Sequence, residues 1–485
     1  MYKKYDKLIF EISKDTRKGY SLPAVDVIEE DLSSILGADN IRFKDANLPQ
    51  VSEIDVVRHF TQLSNKNYSV DHGIYPLGSC TMKYNPKINE EIANLSQIRN
   101  LHPLQPLESV QGALRMMYEL QAMLADIAGM AQVSLQPAAG SQGELLGLMM
   151  VKKYHQNNNQ GHRYKVIVPD SAHGTNPATA SMVGYELIEV KSNAEGTVDV
   201  NDIKDLIDND LAAFMLTNPN TLGIFEKDIQ EIAKLVHEAG GLLYYDGANM
   251  NANLGITRPG DMGFDIVHYN LHKTFSTPHG GGGPGSGPVG VVDKLVEYLP
   301  LPLVEKNGED YVFKTESDHS VGRLMNYYGN FGVMVRAYVY MLMMGKDGLK
   351  NASELAVLNA NYLKEKLKEE YILPIKGLCK HEFVLGGLGE NDAGVTTLDV
   401  AKRLIDYGYH PPTVYFPLII DGAIMIEPTE TESLDSLDGF IDALNSIAKE
   451  AKENPDLLLN APHNAPVRRL DEVKAARDLI LKYQG

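Results

Sequence analysis

One lysine of this chain, Lys273, has the neighbours that a covalent aldehyde cofactor requires. It lies between a short apolar run, 264–269, and a run of glycines, 280–283. A lysine amine is a nucleophile only after it has lost its proton, and burial or a nearby cation makes that loss easier. A lysine at a strand end, followed by flexible backbone, therefore indicates an enzyme that forms a Schiff base.

The elements that must position this lysine are short apolar runs alternating with helices. Runs typical of strands buried on both faces cover 165–168, 211–216, 242–245, 266–269 and 289–292. A further strand is predicted over 132–136, between helices over 109–128 and 141–155. The helix predicted over 228–239 has its apolar residues on one face. Alternating strands and helices predict a doubly wound α/β domain with a mostly parallel sheet.

Three domains are predicted from where this alternation begins and ends. Residues 1–85 contain short helical pieces between polar stretches, and we expect an N-terminal arm that wraps a larger body or a partner subunit. Residues 86–345 would form the large α/β domain. After 346 the pattern changes to helices over 353–370, 398–407 and 433–449 around a glycine-rich turn. Residues 346–485 are therefore expected to form a smaller α+β domain.

Polar residues follow several of the predicted strands. In a doubly wound sheet, ligands bind beyond the carboxyl ends of the strands. The residues that follow these ends are Asp170 to His173, Thr217, Asn218, Asp246 and Lys273. The segment 138–144 also opens a helix directly after a strand. We expect all of these groups to face one cleft.

The residue types in this predicted cleft fit pyridoxal 5'-phosphate. Lys273 would hold its aldehyde, and Asp246 would lie at the pyridine nitrogen, because a protonated ring is the electron sink of this cofactor. The phosphate would bind at the helix start formed by Gly140, Ser141 and Gln142, since a helix N-terminus attracts anions.

Further side chains complete the predicted cofactor site. His173 would pack on the ring face, Thr217 or Asn218 would hydrogen-bond the ring hydroxyl, and His272 adjoins the lysine. Each feature has a simpler explanation when it is taken alone: an aspartate at a strand end is often a cap, and a loop histidine often only packs. The glycine run is not a Walker loop, because no Gly-Lys-Ser/Thr follows it.

Composition narrows the class of protein. The chain has 485 residues and a net charge of −19, which argues against a nucleic-acid or anionic-membrane partner. Cys80 and Cys379 have no metal-type spacing, so we expect no metal site. Two cysteines and the absence of a secretory signal predict a reducing, cytoplasmic location. The apolar run 338–344 is far shorter than the roughly 20 residues that span a membrane.

Several long motifs resemble the glycine cleavage system P-protein, the decarboxylating glycine dehydrogenase. The segments that carry the resemblance are 75–87, 171–178, 246–249, 272–285 and 427–433. The similarity extends from Leu8 to Glu472. This family occurs as one long chain or as two subunits, and the chain resembles the lysine-bearing half, subunit 2.

The resemblance implies a fold-type-I, aspartate aminotransferase-like enzyme that depends on pyridoxal phosphate. Lys273 would be the Schiff-base lysine, Asp246 the partner of the pyridinium nitrogen, and His173 the ring-stacking catalytic residue. The implied reaction is decarboxylation of glycine and transfer of the aminomethyl group to the lipoyl arm of an H-protein. The implied assembly is a heterodimer with subunit 1, which pairs again into a heterotetramer.

Two alternative functions remain open on the sequence alone. Another fold-type-I decarboxylase or aminotransferase would share Lys273 and Asp246, although the motifs at 75–87 and 427–433 favour the P-protein. A non-catalytic scaffold subunit would lack the lysine. We also expect 75–87 to line the glycine pocket or its channel, with a structural hinge against the partner subunit as the alternative.

Overall fold

The computed structural model describes residues 5–44, 46–278, 285–325, 328–390 and 392–483. The chain divides into two compact units, one within 1–69 and 463–485 and the other within 70–462. The C-terminal segment thus groups with the N-terminal one. The domain boundaries predicted at 85 and 345 both fall inside the larger unit.

The helices and strands follow in chain order. The helices are α1 (Leu32–Leu36), α2 (Glu53–Ser64), α3 (Lys87–Ala93), α4 (Ser96–Arg99), α5 (Gln111–Ala128), α6 (Gly140–Asn157), α7 (Thr175–Val183), α8 (Val200–Leu206), α9 (Ile229–Glu238), α10 (Phe331–Leu367), α11 (Thr397–Asp406), α12 (Leu434–Glu453), α13 (Asp456–Leu459) and α14 (Glu472–Arg477). The strands are β1 (Gln132–Ser134), β2 (Lys165–Pro169), β3 (Glu186–Val190), β4 (Leu211–Leu216), β5 (Leu242–Gly247), β6 (Ile266–Tyr269), β7 (Val289–Val291), β8 (Leu303–Asn307), β9 (Asp310–Lys314), β10 (Phe383–Leu385), β11 (Thr413–Val414) and β12 (Ile424–Ile426).

The smaller unit contains α1, α2 and α14. Ser52 caps α2: its hydroxyl accepts a hydrogen bond from the Asp55 backbone, and the Asp55 carboxylate accepts one from the Ser52 backbone in return. Much of the described chain between residues 20 and 48 has no regular secondary structure, and most of its large apolar side chains are exposed. These side chains are Tyr20, Leu22, Val25, Val27, Ile28, Leu32, Ile35, Leu36, Phe43 and Leu48.

The main sheet of the larger unit is mostly parallel, as predicted. Within the described part of the chain its seven strands run in the order β1-β7-β6-β5-β4-β2-β3. The pairs β2·β3, β2·β4, β4·β5 and β5·β6 are parallel. The edge pairs β6·β7 and β1·β7 are antiparallel. Strand β3 has a half-exposed pattern and was not predicted, because it lacks the continuous apolar run of its neighbours.

Helices cover both faces of this sheet. On β4, Phe214 and Leu216 belong to the core cluster that contains residues of α5 and α9. Ala213 and Met215 belong to the cluster that contains residues of α6. Because side chains alternate along a strand, a strand that is apolar at every position must be buried on both sides. The polar residues at the strand ends are therefore the part of the sheet that is available for chemistry.

A second, antiparallel sheet lies in the part of the larger unit after α10. Its order is β10-β12-β11, and α11, α12 and the end of α10 supply side chains to its core. Gly345 interrupts α10 with a non-helical backbone at φ 59°. No helix within the described ranges is long and apolar enough to cross a membrane.

Candidate active site

A cavity of about 220 Å³ lies at the carboxyl ends of β4, β5 and β6. The predicted residues that line it are Gly140, Ser141, His173, Thr217, Asp246, His272 and Lys273. The cavity is smaller than the roughly 300–1,000 Å³ typical of sites for drug-sized molecules. It therefore suits a small cofactor with a small substrate.

Lys273 lies in the turn that follows β6. Its backbone N–H donates to Asn270 O at 3.1 Å, and its carbonyl accepts from the Ser276 N–H at 3.1 Å. Ser276 has a positive φ of 55°. The lysine amine donates to the backbone carbonyl of Ser79 at 2.7 Å. The turn thus directs the amine into the cavity, and a carbonyl from a distant segment fixes its position.

Asp246 lies at the end of β5 and is the ionised acid of the cavity. Its carboxylate accepts hydrogen bonds from Asn176 Nδ2 at 3.0 Å and from the Ala248 N–H at 3.1 Å. His268, its register partner on β6, places Nε2 3.3 Å from Asp246 Oδ1. Burial alone would raise the pKa of Asp246, but attraction to His268 and these hydrogen bonds hold it below its usual value.

Glu144 in α6 forms a buried carboxyl pair with Asp246. Burial and then repulsion from Asp246 raise the pKa of Glu144 to about 7. Its two oxygens accept from the hydroxyls of Thr175, at 2.7 Å, and Thr179, at 3.2 Å. Thr175 also lies 2.8 Å from His173 Nδ1. The pair therefore connects the Asp246 carboxylate to the histidine at the rim of the cavity.

The start of α6 forms a tight cradle in which only glycine fits. A Cβ on Gly140 would lie 2.3 Å from Asn270 Oδ1, and one on Gly287 would lie 2.1 Å from Ala139 O. The main chain of the 285–288 segment therefore packs directly against the helix start. The first N–H groups of a helix have no partner within the helix and attract anions.

Two buried polar atoms beside this helix start are available to bind a ligand. Within the described residues, Thr217 Oγ1 and Asn270 Oδ1 have no hydrogen-bond partner. Both residues line the cavity. Buried polar side chains are nearly always hydrogen-bonded, so these atoms are expected to meet a polar ligand.

Some predicted residues lie elsewhere. Asn218 bonds the Glu226 backbone through both ends of its amide, at 2.9 and 3.3 Å, and does not line the cavity. Gln142 accepts from the Ala138 N–H at 2.9 Å, just before its own helix, and does not line the cavity. Of the alternatives for the ring hydroxyl, Thr217 is the one that reaches the cavity. The glycine run 280–283 lies outside the described residues.

Ser79 lines the cavity from the segment 75–82, which pairs with the second sheet. Leu77 forms a bridge with Ile426, and Gly78 N donates to Met425 O at 3.3 Å. A Cβ on Gly78 would lie 2.7 Å from that same oxygen, so glycine is required for the pairing. Ser79 and Thr81 have positive φ values of 66° and 48°, which cost energy in residues other than glycine.

Glu382 and Glu427 form a second buried carboxyl pair behind this segment. The Ser79 N–H donates to Glu382 Oε2 at 2.8 Å, while the Ser79 carbonyl accepts from Lys273. Thr81 Oγ1 donates to Glu427 Oε1 at 2.9 Å. Glu382 lines the cavity together with its neighbour His381. His381 and Glu382 were absent from the predicted site, and Glu427 entered only as the first residue of the 427–433 motif, since no local pattern links them to Lys273.

The residue set fits pyridoxal phosphate. It combines an amine, an ionised acid that is deeply buried, a helix N-terminus with a glycine cradle, and unpaired polar atoms beside that cradle. His268 and Asn176 lie against the Asp246 carboxylate, and neither they nor Glu144 were among the predicted site residues. The first could have been found from the sequence, because it lies level with Asp246 on the neighbouring parallel strand.

Comparison with known families and proteins finds similarity over almost the whole length of the chain. Residues 24–311 match the family described as "Glycine cleavage system P-protein", and residues 352–466 match "Glycine dehydrogenase, C-terminal domain". A protein from Alkaliphilus oremlandii named "Probable glycine dehydrogenase (decarboxylating) subunit 2" is 62% identical, over 99% of each chain. A protein of the same name from Caldanaerobacter subterraneus subsp. tengcongensis is 61% identical, over 100% of each chain.

Solved structures show the same fold. A glycine decarboxylase (P-protein) of the glycine cleavage system, in inhibitor-bound form, matches with a TM-score of 0.73 at 20% identity, over 86% of this chain and 94% of that one. A sphingosine-1-phosphate lyase from Burkholderia pseudomallei matches with a TM-score of 0.64 at 13% identity, over 87% and 96%. These matches confirm the predicted α/β fold of the fold-type-I class.

Proposed function

The chain belongs to the glycine cleavage system P-protein family, and from this premise we propose that it decarboxylates glycine with pyridoxal phosphate held by Lys273. The carbon that remains would be transferred as an aminomethyl group to the lipoyl arm of an H-protein. The observation that carries the proposal is the convergence of the Lys273 amine and the ionised Asp246 on one small cavity. A scaffold subunit would need neither group.

The proposed roles follow from the contacts of each side chain. Asp246 would hold a proton on the ring nitrogen, since its own pKa is low and Asn176 fixes its orientation. The N-terminus of α6, with Gly140 and Ser141, would bind the phosphate, and Thr217 the ring hydroxyl. His173 would pack on the ring, with its Nδ1 fixed by Thr175.

Pyridoxal phosphate, when bound, would supply an electron sink for the bonding electrons that glycine retains as its carboxylate leaves. Lys273 would release the cofactor aldehyde to the glycine amine. Its Nζ has Ser79 O as an acceptor 2.7 Å away, so the freed amine keeps a hydrogen-bond partner. The small size of the cavity would select an amino acid without a side chain.

A second subunit is part of this proposal, because the relatives are named subunit 2. The exposed apolar side chains between residues 20 and 48 support it. Clusters of exposed apolar residues of this kind mark protein–protein interaction sites. Subunit 1 would cover them, and lipoylated H-protein would be the acceptor.

The direct test combines absorption with a functional assay. The purified chain, with subunit 1, should show an aldehyde-linked absorption band and release CO2 from glycine when lipoylated H-protein is present. Lys273→Ala should abolish the band and lower turnover at least about 10⁴-fold. Lys306→Ala, which changes an exposed lysine, is the matched control and should retain both signals. A wild-type protein without the band, even with subunit 1 present, would contradict the proposal.

A further inference from the structure

The buried pair Glu382 and Glu427 is not used by the roles above. The two side chains are 4% and 0% exposed, and His381 beside them is 2% exposed. Their nearest carboxylate oxygens and a ring nitrogen of His381 all lie within 4.8 Å of one another. Two carboxylates this close in a buried site cannot both be ionised without a counter-charge, so one of them is expected to hold a proton.

The hydrogen-bond donors show which member holds the proton. Glu427 Oε1 accepts from Thr81 at 2.9 Å, from Asn249 at 2.9 Å and from Asn251 at 2.8 Å. Within the described part of the chain, the hydrogen-bond donor to Glu382 is the Ser79 N–H. Hydrogen bonds to a carboxylate stabilise its charged form, so Glu427 carries the charge and Glu382 the proton.

Burial raises the pKa of both acids, but hydrogen bonds from Asn249 and Thr81 oppose the rise at Glu427. Burial and then repulsion from Glu427 raise the pKa of Glu382 well above its usual value, and attraction to Lys273 opposes the rise only in part. Burial raises the pKa of Cys80, so this thiol stays neutral. Burial and Lys273 lower the pKa of His381 to about 3, so the imidazole is neutral as well.

His381 provides an independent sign that a ligand reaches this wall. Neither of its ring nitrogens has a hydrogen-bond partner within the described ranges, and Nε2 lies 3.5 Å from Glu382 Oε1. The residue lines the cavity beside Glu382. A buried imidazole without partners is rare, so a polar atom of a bound molecule is expected here. A metal ion fits less well, because three neutral donors already occupy Glu427 Oε1.

We propose that Glu382 is the proton donor of the transfer step and that Glu427 is a positioning residue that keeps Glu382 protonated. This inference rests on the proposed function. It gives Ser79 a role in the cavity. The Ser79 carbonyl binds the Lys273 amine, and the Ser79 N–H binds the Glu382 carboxyl. One residue thereby fixes the distance between the amine and the proton donor.

The leaving sulfur takes up one proton in the transfer step. Glycine loses CO2, and its remaining carbon forms a bond to one sulfur of the lipoyl disulfide, so the S–S bond breaks. The carbon is oxidised, the disulfide takes up the two electrons, and the second sulfur leaves as a thiolate. Glu382 gives this sulfur its proton, which makes it a thiol, and the resulting carboxylate regains a proton from water.

The first experiment needs neither cofactor nor substrate. Infrared spectra of the cofactor-free full chain at neutral pH should contain the C=O stretch of a neutral carboxyl that Glu382→Gln removes. Glu427→Gln should let Glu382 ionise at lower pH, because the like charge is gone. The matched control is Glu226→Gln, since Glu226 is another buried glutamate, with a pKa raised to about 7, that does not line the cavity.

The second experiment separates proton transfer from glycine binding. With subunit 1 and lipoylated H-protein, Glu382→Gln should slow aminomethyl transfer by about 100-fold or more, the range of general-acid catalysis. The change in cofactor absorption on adding glycine should remain, which shows that the variant is folded and binds substrate. Glu382→Asp should restore part of the rate, and Glu226→Gln should transfer at the wild-type rate.

Three results would overturn the inference. Aminomethyl transfer at the wild-type rate by Glu382→Gln would show that Glu382 is not the proton donor. An infrared spectrum that this substitution leaves unchanged would show that Glu382 is not a neutral carboxyl. Binding of Zn²⁺ by the wild type but not by Glu382→Gln would make the cluster a metal site. Should the wild type release no CO2 from glycine, the proposed function itself fails and takes this step with it, whatever the infrared spectra show.

Discussion

The two buried carboxyl pairs beside the cavity differ in how they carry charge. In the pair of Glu144 and Asp246, burial raises the pKa of Glu144. At Asp246, attraction to His268 and hydrogen bonds outweigh burial, so its pKa is lowered. In the pair of Glu382 and Glu427, the pKa of both members is raised. Asp246 and Glu427 are both almost fully buried, so burial does not explain the difference.

Attraction to His268 contributes to the difference, because it lowers the pKa of Asp246, whereas repulsion between Glu382 and Glu427 adds to burial in raising the pKa of Glu382. His268 lies 3.3 Å from Asp246, and its Nδ1 is hydrogen-bonded to the Tyr244 hydroxyl at 2.7 Å. His381 lies 3.5 Å from Glu382 and has no hydrogen-bond partner among the residues described. The first imidazole is fixed where it stabilises a carboxylate, and the second leaves its acid neutral. One wall is thus suited to hold a proton on a ring nitrogen, and the other to donate a proton.

The largest effect is expected at the charged pair. Asp246→Asn removes the carboxylate but keeps the size of the side chain. Loss of one partner of a buried charge pair costs about 3–5 kcal/mol, which corresponds to about 150- to 5,000-fold in cofactor affinity or turnover. Cofactor titration and glycine-dependent CO2 release measure it. Cofactor affinity and turnover of Asp246→Asn equal to those of the wild type would show that the charge of Asp246 does not distinguish the two carboxyl pairs.

A pH titration of stability sharpens the contrast within the first pair. The pKa of Glu144 is raised from 4.5 to about 7. Its stabilising contribution is therefore complete below pH 4.5 and is lost as the pH rises through 7. The loss is about 3 kcal/mol at most.

Urea unfolding of the cofactor-free chain at several pH values measures this loss. Glu144→Gln should have a flatter dependence of unfolding free energy on pH than the wild type. Glu226 titrates in the same window in both proteins, so it cancels in the comparison. Parallel pH profiles would show that Glu144 is ionised at neutral pH like an ordinary glutamate.

A smaller effect is expected when a hydrogen-bond donor to Glu427 in the second pair is removed. Thr81→Ala removes a hydroxyl that donates to Glu427 at 2.9 Å, which should lower the free energy of unfolding by about 1–3 kcal/mol. Thr315→Ala, at an exposed threonine, should change it by no more than about 0.5 kcal/mol. Urea unfolding at neutral pH compares the two, and equal values would mean that Glu427 does not depend on this donor.

The smallest effect is expected at an exposed carboxylate. Glu231 lies 3.1 Å from Lys204 on the surface, and both side chains are largely exposed. Glu231→Gln should change the free energy of unfolding by less than about 1 kcal/mol, because solvent screens exposed ion pairs. A cost as large as that of Thr81→Ala, measured in the same unfolding experiment, would show that burial has little influence on these carboxylates.

The fold and part of the cavity could be predicted because their signals are local. The runs 211–216 and 266–269 are apolar at nearly every position, which is typical of strands buried on both faces, and the structure has β4 and β6 there. Asp246 and Lys273 come at or just after such runs, and the ends of neighbouring parallel strands meet at one edge. Their common cavity follows from this geometry.

Other parts could not be predicted because the pattern leaves more than one orientation open. Asn218 follows a strand end as Thr217 does, yet its amide is directed to the Glu226 backbone and away from the cavity. Gln142 lies in the predicted phosphate turn, but its amide oxygen accepts a hydrogen bond from the Ala138 N–H. Adjacent residues in a turn point in different directions, and packing selects which of them reaches a ligand.

The sequence by itself determined the family, the doubly wound sheet and the strand ends from which a lysine and an aspartate reach one edge, because each depends on short runs of neighbouring residues. Only the tertiary structure decided the charge of each acid. Thr81 and Glu427 are 346 residues apart, yet the hydroxyl of one stabilises the carboxylate of the other. Electrostatic interactions depend on distance in space and on the donors present, and a linear sequence specifies neither.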